Sequence, residues 1–237
     1  MLSKLIDRIC ALNDPAMVEM GDRSYSDKQL LPVLAPAAQP LVMHTLTGLV
    51  DYIRADVDGL PLDRVMIHVV SHEKVALCSA LFGGFRQREV FAECRLVTDE
   101  YPFNKKLSQE AFSIWLQTGF AATPDLAPVL KVTGTVTDEA VRTNEDDGVT
   151  QRVTARVGIA RKEEISVPNP VALKPFRTFL EVEQPEAKFV YRMWRQEDGQ
   201  PPQFSLHTAD GGEWKLAAID SIKSYFIKEL PTVTVLG

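Results

Sequence analysis

The sequence predicts an α+β fold, in which a mostly antiparallel β-sheet made of a meander and long hairpins packs with about four amphipathic helices. Three observations predict this class. Apolar residues recur at the helical period in several separate stretches. The stretches between them alternate between apolar and polar residues, as half-buried strands do. Glycine, proline, asparagine and aspartate cluster where the period changes, which predicts tight turns.

The first 44 residues combine a short helix with a proline-stiffened segment. Asn13-Asp14-Pro15 ends a run in which five apolar residues share one helical face: Leu2, Leu5, Ile6, Ile9 and Leu12. Residues 17–20 and the Gly21-Asp22 turn signal predict a small hairpin. Prolines 32, 36 and 40 then predict an extended arm that wraps over a neighbouring molecule.

Two internal stretches predict helices with defined ends. In HTLTGLVDYIRADVDG, residues 44–59, Thr45 or Thr47 is the predicted N-cap and Gly59 the predicted stop. Ser108 is the predicted N-cap of a second helix, which Gly119 ends.

Strand patterns fill most of the remaining chain. Between residues 64 and 98, RVMIHVV, KVALCSALF and REVFAECRLV predict an antiparallel meander. LKVTGTVTDEAVRT (130–143) and VTQRVTARVGIA (149–160), joined by NEDDG, predict a long hairpin.

The last third predicts two more strand pairs and a closing helix. KPFRTFLEVEQPEAKFVYRMWR (174–195) predicts two strands that are apolar on both faces, which favours cover on both sides. QFSLHT and EWKLAAI predict a hairpin around Asp210-Gly211-Gly212. The final helix carries Ile219, Ile222 and Phe226 on one face and ends at Pro231. We predict an N-terminal region, 1–60, with the helices, hairpin and arm, and a β-rich core, 61–237, although one continuous domain fits equally.

Composition narrows the function classes. The 237 residues carry a net charge of −6, which argues against a protein whose main affinity comes from neutralising many phosphates. The three cysteines lack paired spacing, which predicts a reducing compartment. The N-terminus, MLSKLIDRICALND, is charged throughout, and no stretch approaches ~18 apolar residues, so we expect a cytoplasmic protein that does not engage a membrane.

No catalytic motif stands out. Nucleophile, phosphate-loop and dinucleotide-binding patterns are missing, and the pair Gly83-Gly84 is better explained as a turn. His68 and His72 lack the zincin arrangement, and the consecutive acids at 145–147 lack the spacing of a calcium loop. We therefore predict no catalytic residue, no metal site and no cofactor.

A nucleic-acid surface is the alternative that the basic and aromatic residues leave open. It would use residues from two predicted strand pairs: Arg152, Arg156, Arg177, Arg192 and Trp194. Against it, Glu181, Glu183 and Glu186 interleave with this strip.

Three segments resemble an uncharacterised family of bacteriophage and prophage proteins. They are LKPFRTFLEVEQPEAKFVYRM at 173–193, LHTADGGEWKLAAI at 206–219 and VMHTLTGLVDYIRADVD at 42–58. The F-R-T-F-x-E-V-x-Q-P string is the most specific part. The resemblance implies a phage or prophage context in the bacterial cytoplasm and transfers no catalytic residue.

These observations together predict a non-enzymatic phage accessory protein that forms a homo-oligomer and binds a host or phage protein. Three alternatives stay open: a nucleic-acid-binding protein of phage replication or recombination, a capsid-like shell or other virion structural subunit, and an enzyme whose site residues are distant in the sequence.

Overall fold

The computed structural model describes residues 6, 15–21, 23–27, 38–83, 86–135, 145–146, 150–157, 161–194, 196 and 200–237, and within 145–166 it describes backbone strands alone. The chain divides into two compact units, one of residues 1–38 with 82–87 and one of residues 39–81 with 88–237. The predicted α+β class is confirmed, since the described residues form four α-helices and mostly antiparallel strands. The predicted boundary near residue 60 stays a prediction.

The smaller unit contains the predicted hairpin. Its strands are β1 (Met17–Met20) and β2 (Arg23–Ser26), joined at Gly21, which adopts a φ of +67°. Asp27 closes the open end, because its carboxylate accepts the N–H of Ala16 at 2.7 Å. The predicted helix at 2–12 (apart from Ile6) and most of the predicted arm at 32–40 lie outside the described residues.

The first large sheet confirms the predicted meander. In spatial order its strands are β15 (Thr234–Leu236), β4 (Val65–Ser71), β5 (Lys74–Ser79), β6 (Val90–Arg95) and β3 (Leu41–Met43). The three meander strands pair antiparallel, as their alternation predicts. The two edge strands, which the sequence patterns do not predict, add in parallel to β4 and β6.

Helix α1 (Leu46–Ala55) packs into the core of this sheet and has the predicted start. The Thr45 hydroxyl accepts an N–H of the first turn, as an N-cap should. The predicted stop at Gly59 is wrong, because the helix already ends at Asp56. Asp56 adopts the left-handed conformation, with a φ of +46°, and donates its N–H to the carbonyl of Ile53. Aspartate is one of the few non-glycine residues that tolerate this conformation.

The second large sheet is antiparallel throughout. Its strands in spatial order are β7 (Leu107–Ser108), β14 (Gln203–Thr208), β13 (Ala187–Trp194), β12 (Val171–Pro175) and β8 (Phe120–Ala121). Helix α2 (Gln109–Thr118) packs against it and has the predicted boundaries, with Ser108 as N-cap and Gly119 as C-cap.

The predicted strand at 130–143 is wrong for the part that the structure describes. Residues 130–135 belong to helix α3 (Leu126–Thr135), whose buried face includes Leu126, Val129 and Val132 at a spacing of three. The strand predicted over 149–160 is present as β10 (Thr150–Val157). It pairs antiparallel with β11 (Arg161–Pro168) and with β9 (Glu145–Asp146), while residues 136–143 of the predicted partner strand lie outside the described residues.

The predicted strand at 174–183 is also corrected. β12 ends at Pro175, and residues 176–186 form a loop without strand pairing. Alternation of apolar and polar residues misled the prediction, because the apolar side chains of this loop do not share one buried face: Phe179 is 1% exposed, whereas Leu180 is 76% exposed. Phe179 enters the core of the first sheet, whereas β12 and β13 belong to the core of the second.

The predicted hairpin partner at 213–219 is wrong, because these residues begin helix α4 (Glu213–Glu229). Its buried residues Trp214, Ala218, Ile222 and Phe226 recur every four positions, which places them on one helical face. Trp214 and Ala218 join the core of the second sheet, and Ile222 and Phe226 join that of the first. The helix therefore ties the two cores together, and it ends before Pro231 as predicted.

A search of the described helices for a segment long and apolar enough to span a bilayer finds none.

Candidate functional site

A cavity of about 460 Å³ opens beside the N-terminus of α4. Four segments line it: the turn between β4 and β5, residues 100–103 after β6, the loop after β12, and the segment from the end of β14 into α4. The volume is in the range of pockets that hold small ligands.

Arg177 is the most unusual side chain of this cavity. Only 8% of its surface is exposed, although arginine is rarely buried without a charged partner. Its guanidinium carbon lies 3.7 Å from the ring centroid of Trp214 and 5.4 to 5.5 Å from the rings of Phe103 and Phe189. Contact with aromatic rings at these distances stabilises a cation, so the rings hold the guanidinium in place.

The loop around Arg177 is held by Gln184, which is 5% exposed. Its side-chain oxygen accepts the backbone N–H groups of Arg177 and Thr178 at 3.0 and 3.2 Å, and its side-chain nitrogen donates to the carbonyl of Phe179 at 3.0 Å. Thr178 donates its hydroxyl to the carbonyl of His72 at 2.7 Å. The F-R-T-F-x-E-V-x-Q-P string therefore contains the residues that position Arg177.

One edge of the Arg177 guanidinium has no hydrogen-bond partner. Nε and Nη2 are both buried and unbonded. Their N–H bonds point the same way, which is the arrangement that grips the two oxygens of a carboxylate or a phosphate. Burial lowers the pKa of Arg177 to about 10, and the nearby charge of Asp210 opposes that shift. The side chain is therefore still cationic at neutral pH.

Asp210 has the opposite charge, and one of its two carboxylate oxygens is unbonded. Its Oδ1 accepts the N–H of Gly212 at 3.3 Å, whereas its Oδ2 is buried without a hydrogen-bond partner. Gly211 and Gly212 have φ values of +62° and +90°, a conformation that glycine adopts without strain. This turn leads into α4 and places Trp214 and Lys215 at the cavity.

Tyr101 and His72 are two of the other polar side chains that border the cavity. The Tyr101 hydroxyl is buried and unbonded, and burial raises its pKa above the usual range, so it stays protonated at neutral pH. His72 packs edge-on against Trp214, with ring centroids 4.6 Å apart, and its Nε2 lies 3.0 Å from a carboxylate oxygen of Glu73. Burial lowers the pKa of His72 despite that carboxylate.

The five residues of the predicted nucleic-acid surface fall in different places. Arg177 is in the cavity, whereas Arg192 and Trp194 project from the same face of β13. The Trp194 ring has Lys106 Nζ 3.9 Å above it and donates to the Ser205 hydroxyl. Arg152 and Arg156 lie on β10, and their side chains are outside the described residues. The structure therefore brings two of the five together, and the nucleic-acid function stays a prediction.

Sequence patterns miss the cavity because its members come from distant segments. Trp214 and Lys215 fall in the predicted strand at 213–219, and Asp210 in its predicted turn. Two adjacent glycines followed by a helical period from Trp214 to Phe226 were the available signal for a helix start. No pattern pairs Arg177 with Tyr101 or Asp210.

Over the parts of the chain that the structure describes, no group of three or more His, Cys, Asp or Glu side chains is placed to hold a metal ion.

Comparisons with protein-family models, with curated proteins and with solved structures found no match to this chain. The resemblance to phage and prophage proteins stays a prediction.

Proposed function

We propose that the protein acts by binding, without catalysing a reaction, and that the Arg177 cavity holds an anionic group of its ligand. The unbonded Nε and Nη2 edge of a buried guanidinium is the observation that carries this proposal. Leaving a buried donor unsatisfied costs about 1–3 kcal/mol, and more for a charged group. A carboxylate or phosphate in the cavity would remove that penalty.

Two of the groups that line the cavity are suited to holding an anion. Arg177 keeps its charge at neutral pH, and Tyr101 keeps its proton because burial raises its pKa. Both side chains therefore act as hydrogen-bond donors at neutral pH and exchange no proton with a ligand.

Arg177→Lys is expected to weaken the binding of an anionic probe. With 3-phenylpropionate as the probe, a loss of about 1.5–3 kcal/mol, or roughly 10- to 100-fold in Kd, is expected, because lysine cannot form the paired contact. Ligand-observed NMR titration of the full chain measures this Kd.

Arg95→Lys is the matched control, since Arg95 is an exposed arginine whose Nη2 lies 2.6 Å from Glu93. It should bind the probe like the unaltered protein. The proposal fails if no carboxylate probe, with or without an ammonium group, binds the unaltered protein, or if Arg177→Lys binds such a probe equally well.

Self-assembly and a host or phage protein partner stay part of the proposed function, supported by the predicted arm and by the sequence resemblance. We expect light scattering at micromolar concentration to give the mass of a small oligomer. A monodisperse monomer would contradict self-assembly, and a closed particle of many copies would favour the shell-subunit alternative.

A further inference from the structure

Two residues that line the cavity each carry buried, unbonded atoms, and the two residues have opposite charges. Nε and Nη2 of Arg177 lack an acceptor, and Oδ2 of Asp210 lacks a donor. They do not satisfy each other, since none of these three atoms makes a hydrogen bond. Buried polar groups in folded proteins are almost always bonded, so a ligand that carries both an acceptor anion and a donor cation would complete both.

The charges around the cavity disfavour a ligand that is only an anion. Three carboxylates line it, those of Glu73, Glu100 and Asp210, against the two cations Arg177 and Lys215. A phosphate or a simple carboxylate would gain the contact with Arg177 and be repelled by the carboxylates. An ammonium group on the same ligand offsets that repulsion, because it places a positive charge among the three carboxylates.

Part of the remaining lining is aromatic. The rings of Tyr101, Phe103 and Trp214 border the cavity. Tyr101 and Phe103 pack with ring centroids 4.7 Å apart, and Trp214 lies against Arg177, so these rings form a preassembled wall. Such a wall suits an apolar side group attached to the charged end of a ligand.

We propose that the cavity binds a small ampholyte of the amino-acid type, with its carboxylate on the Nε and Nη2 edge of Arg177, its ammonium group on Oδ2 of Asp210, and its apolar side group against the aromatic wall. This proposal rests on the anion-binding function proposed above and names its ligand class.

Three probes that share one ring test the charge requirement. L-Phenylalanine carries both charges, 3-phenylpropionate only the carboxylate, and 2-phenylethylamine only the ammonium group. Ligand-observed NMR titration of the full chain is expected to give a Kd for L-phenylalanine about tenfold or more below those of the other two. The pair L-leucine and 4-methylpentanoate repeats the comparison without the ring.

Asp210→Asn identifies the ammonium contact. Asparagine keeps an oxygen that can accept the Gly212 N–H, and it removes the charge. We expect L-phenylalanine to lose about tenfold in affinity and 3-phenylpropionate to bind at least as tightly as before. Glu213→Gln removes one charge from an exposed residue three positions later and should leave both affinities unchanged. A thermal melt of each variant establishes that it is folded.

The outcomes separate this inference from the function on which it rests. The proposed ampholyte ligand is wrong if 3-phenylpropionate binds as tightly as L-phenylalanine, or if Asp210→Asn leaves L-phenylalanine binding unchanged. In either case the proposed anion site at Arg177 is retained. If none of the carboxylate probes binds, both proposals are overturned.

Discussion

Phe179→Ala is expected to lower the free energy of unfolding by about 3–5 kcal/mol, the range seen when a buried phenylalanine is truncated. Phe179 is 1% exposed and belongs to the core of the first sheet, although it lies in the loop that follows a strand of the second. Removing the ring leaves a cavity and also releases the Arg177 loop from its anchor. Urea denaturation with linear extrapolation measures the change.

The neighbouring residue is a matched control. Leu180 is 76% exposed, so Leu180→Ala should change the free energy of unfolding by no more than about 0.5 kcal/mol. Equal effects of the two substitutions would show that Phe179 does not anchor the loop.

Gln184→Ala is expected to destabilise the protein by about 3 kcal/mol or more, although it removes little apolar surface. The Gln184 side chain satisfies two backbone N–H groups and the carbonyl of Phe179 within the loop. Without it, several buried backbone groups lose their partners, at about 1–3 kcal/mol for each group that water cannot reach. The same urea experiment measures this effect.

Gln117→Ala tests whether the loss comes from the loop or from glutamine truncation in general. Gln117 is exposed on α2 and donates one hydrogen bond, to the carbonyl of Ser113 at 3.1 Å. Its substitution should change the free energy of unfolding by less than about 0.5 kcal/mol. A Gln184→Ala variant as stable as Gln117→Ala would contradict the role assigned to Gln184.

Local sequence patterns predicted helices and strands correctly where the element is buried against a single core. Helix α2, the start of α1 and the meander of β4, β5 and β6 lie where predicted. Their N-caps, Thr45 and Ser108, make the predicted hydrogen bonds with backbone N–H groups of the first turn. In each case the period of the apolar residues matches the single surface that covers them.

Patterns failed where apolar residues do not share one buried surface. In residues 176–186, Phe179 packs in the core of the first sheet and Leu180 is exposed, although their spacing imitates the alternation of a strand. At the start of α4, the Asp210-Gly211-Gly212 turn followed by Trp214 and Leu216 is also compatible with a hairpin. Burial of the face from Trp214 to Phe226 decides for the helix.

The sequence by itself determined the α+β class, the two capped helices and the meander, because these depend on local hydrogen bonds and on the period of apolar residues. It also contains the unusual F-R-T-F-x-E-V-x-Q-P string, but no pattern in the string predicted that it positions Arg177. Only the tertiary structure decided that Arg177 is buried under Trp214 in a cavity shared with Asp210 and Tyr101. Contacts between segments that are distant in the sequence are set by how the two cores pack around α4, and no local period encodes such packing.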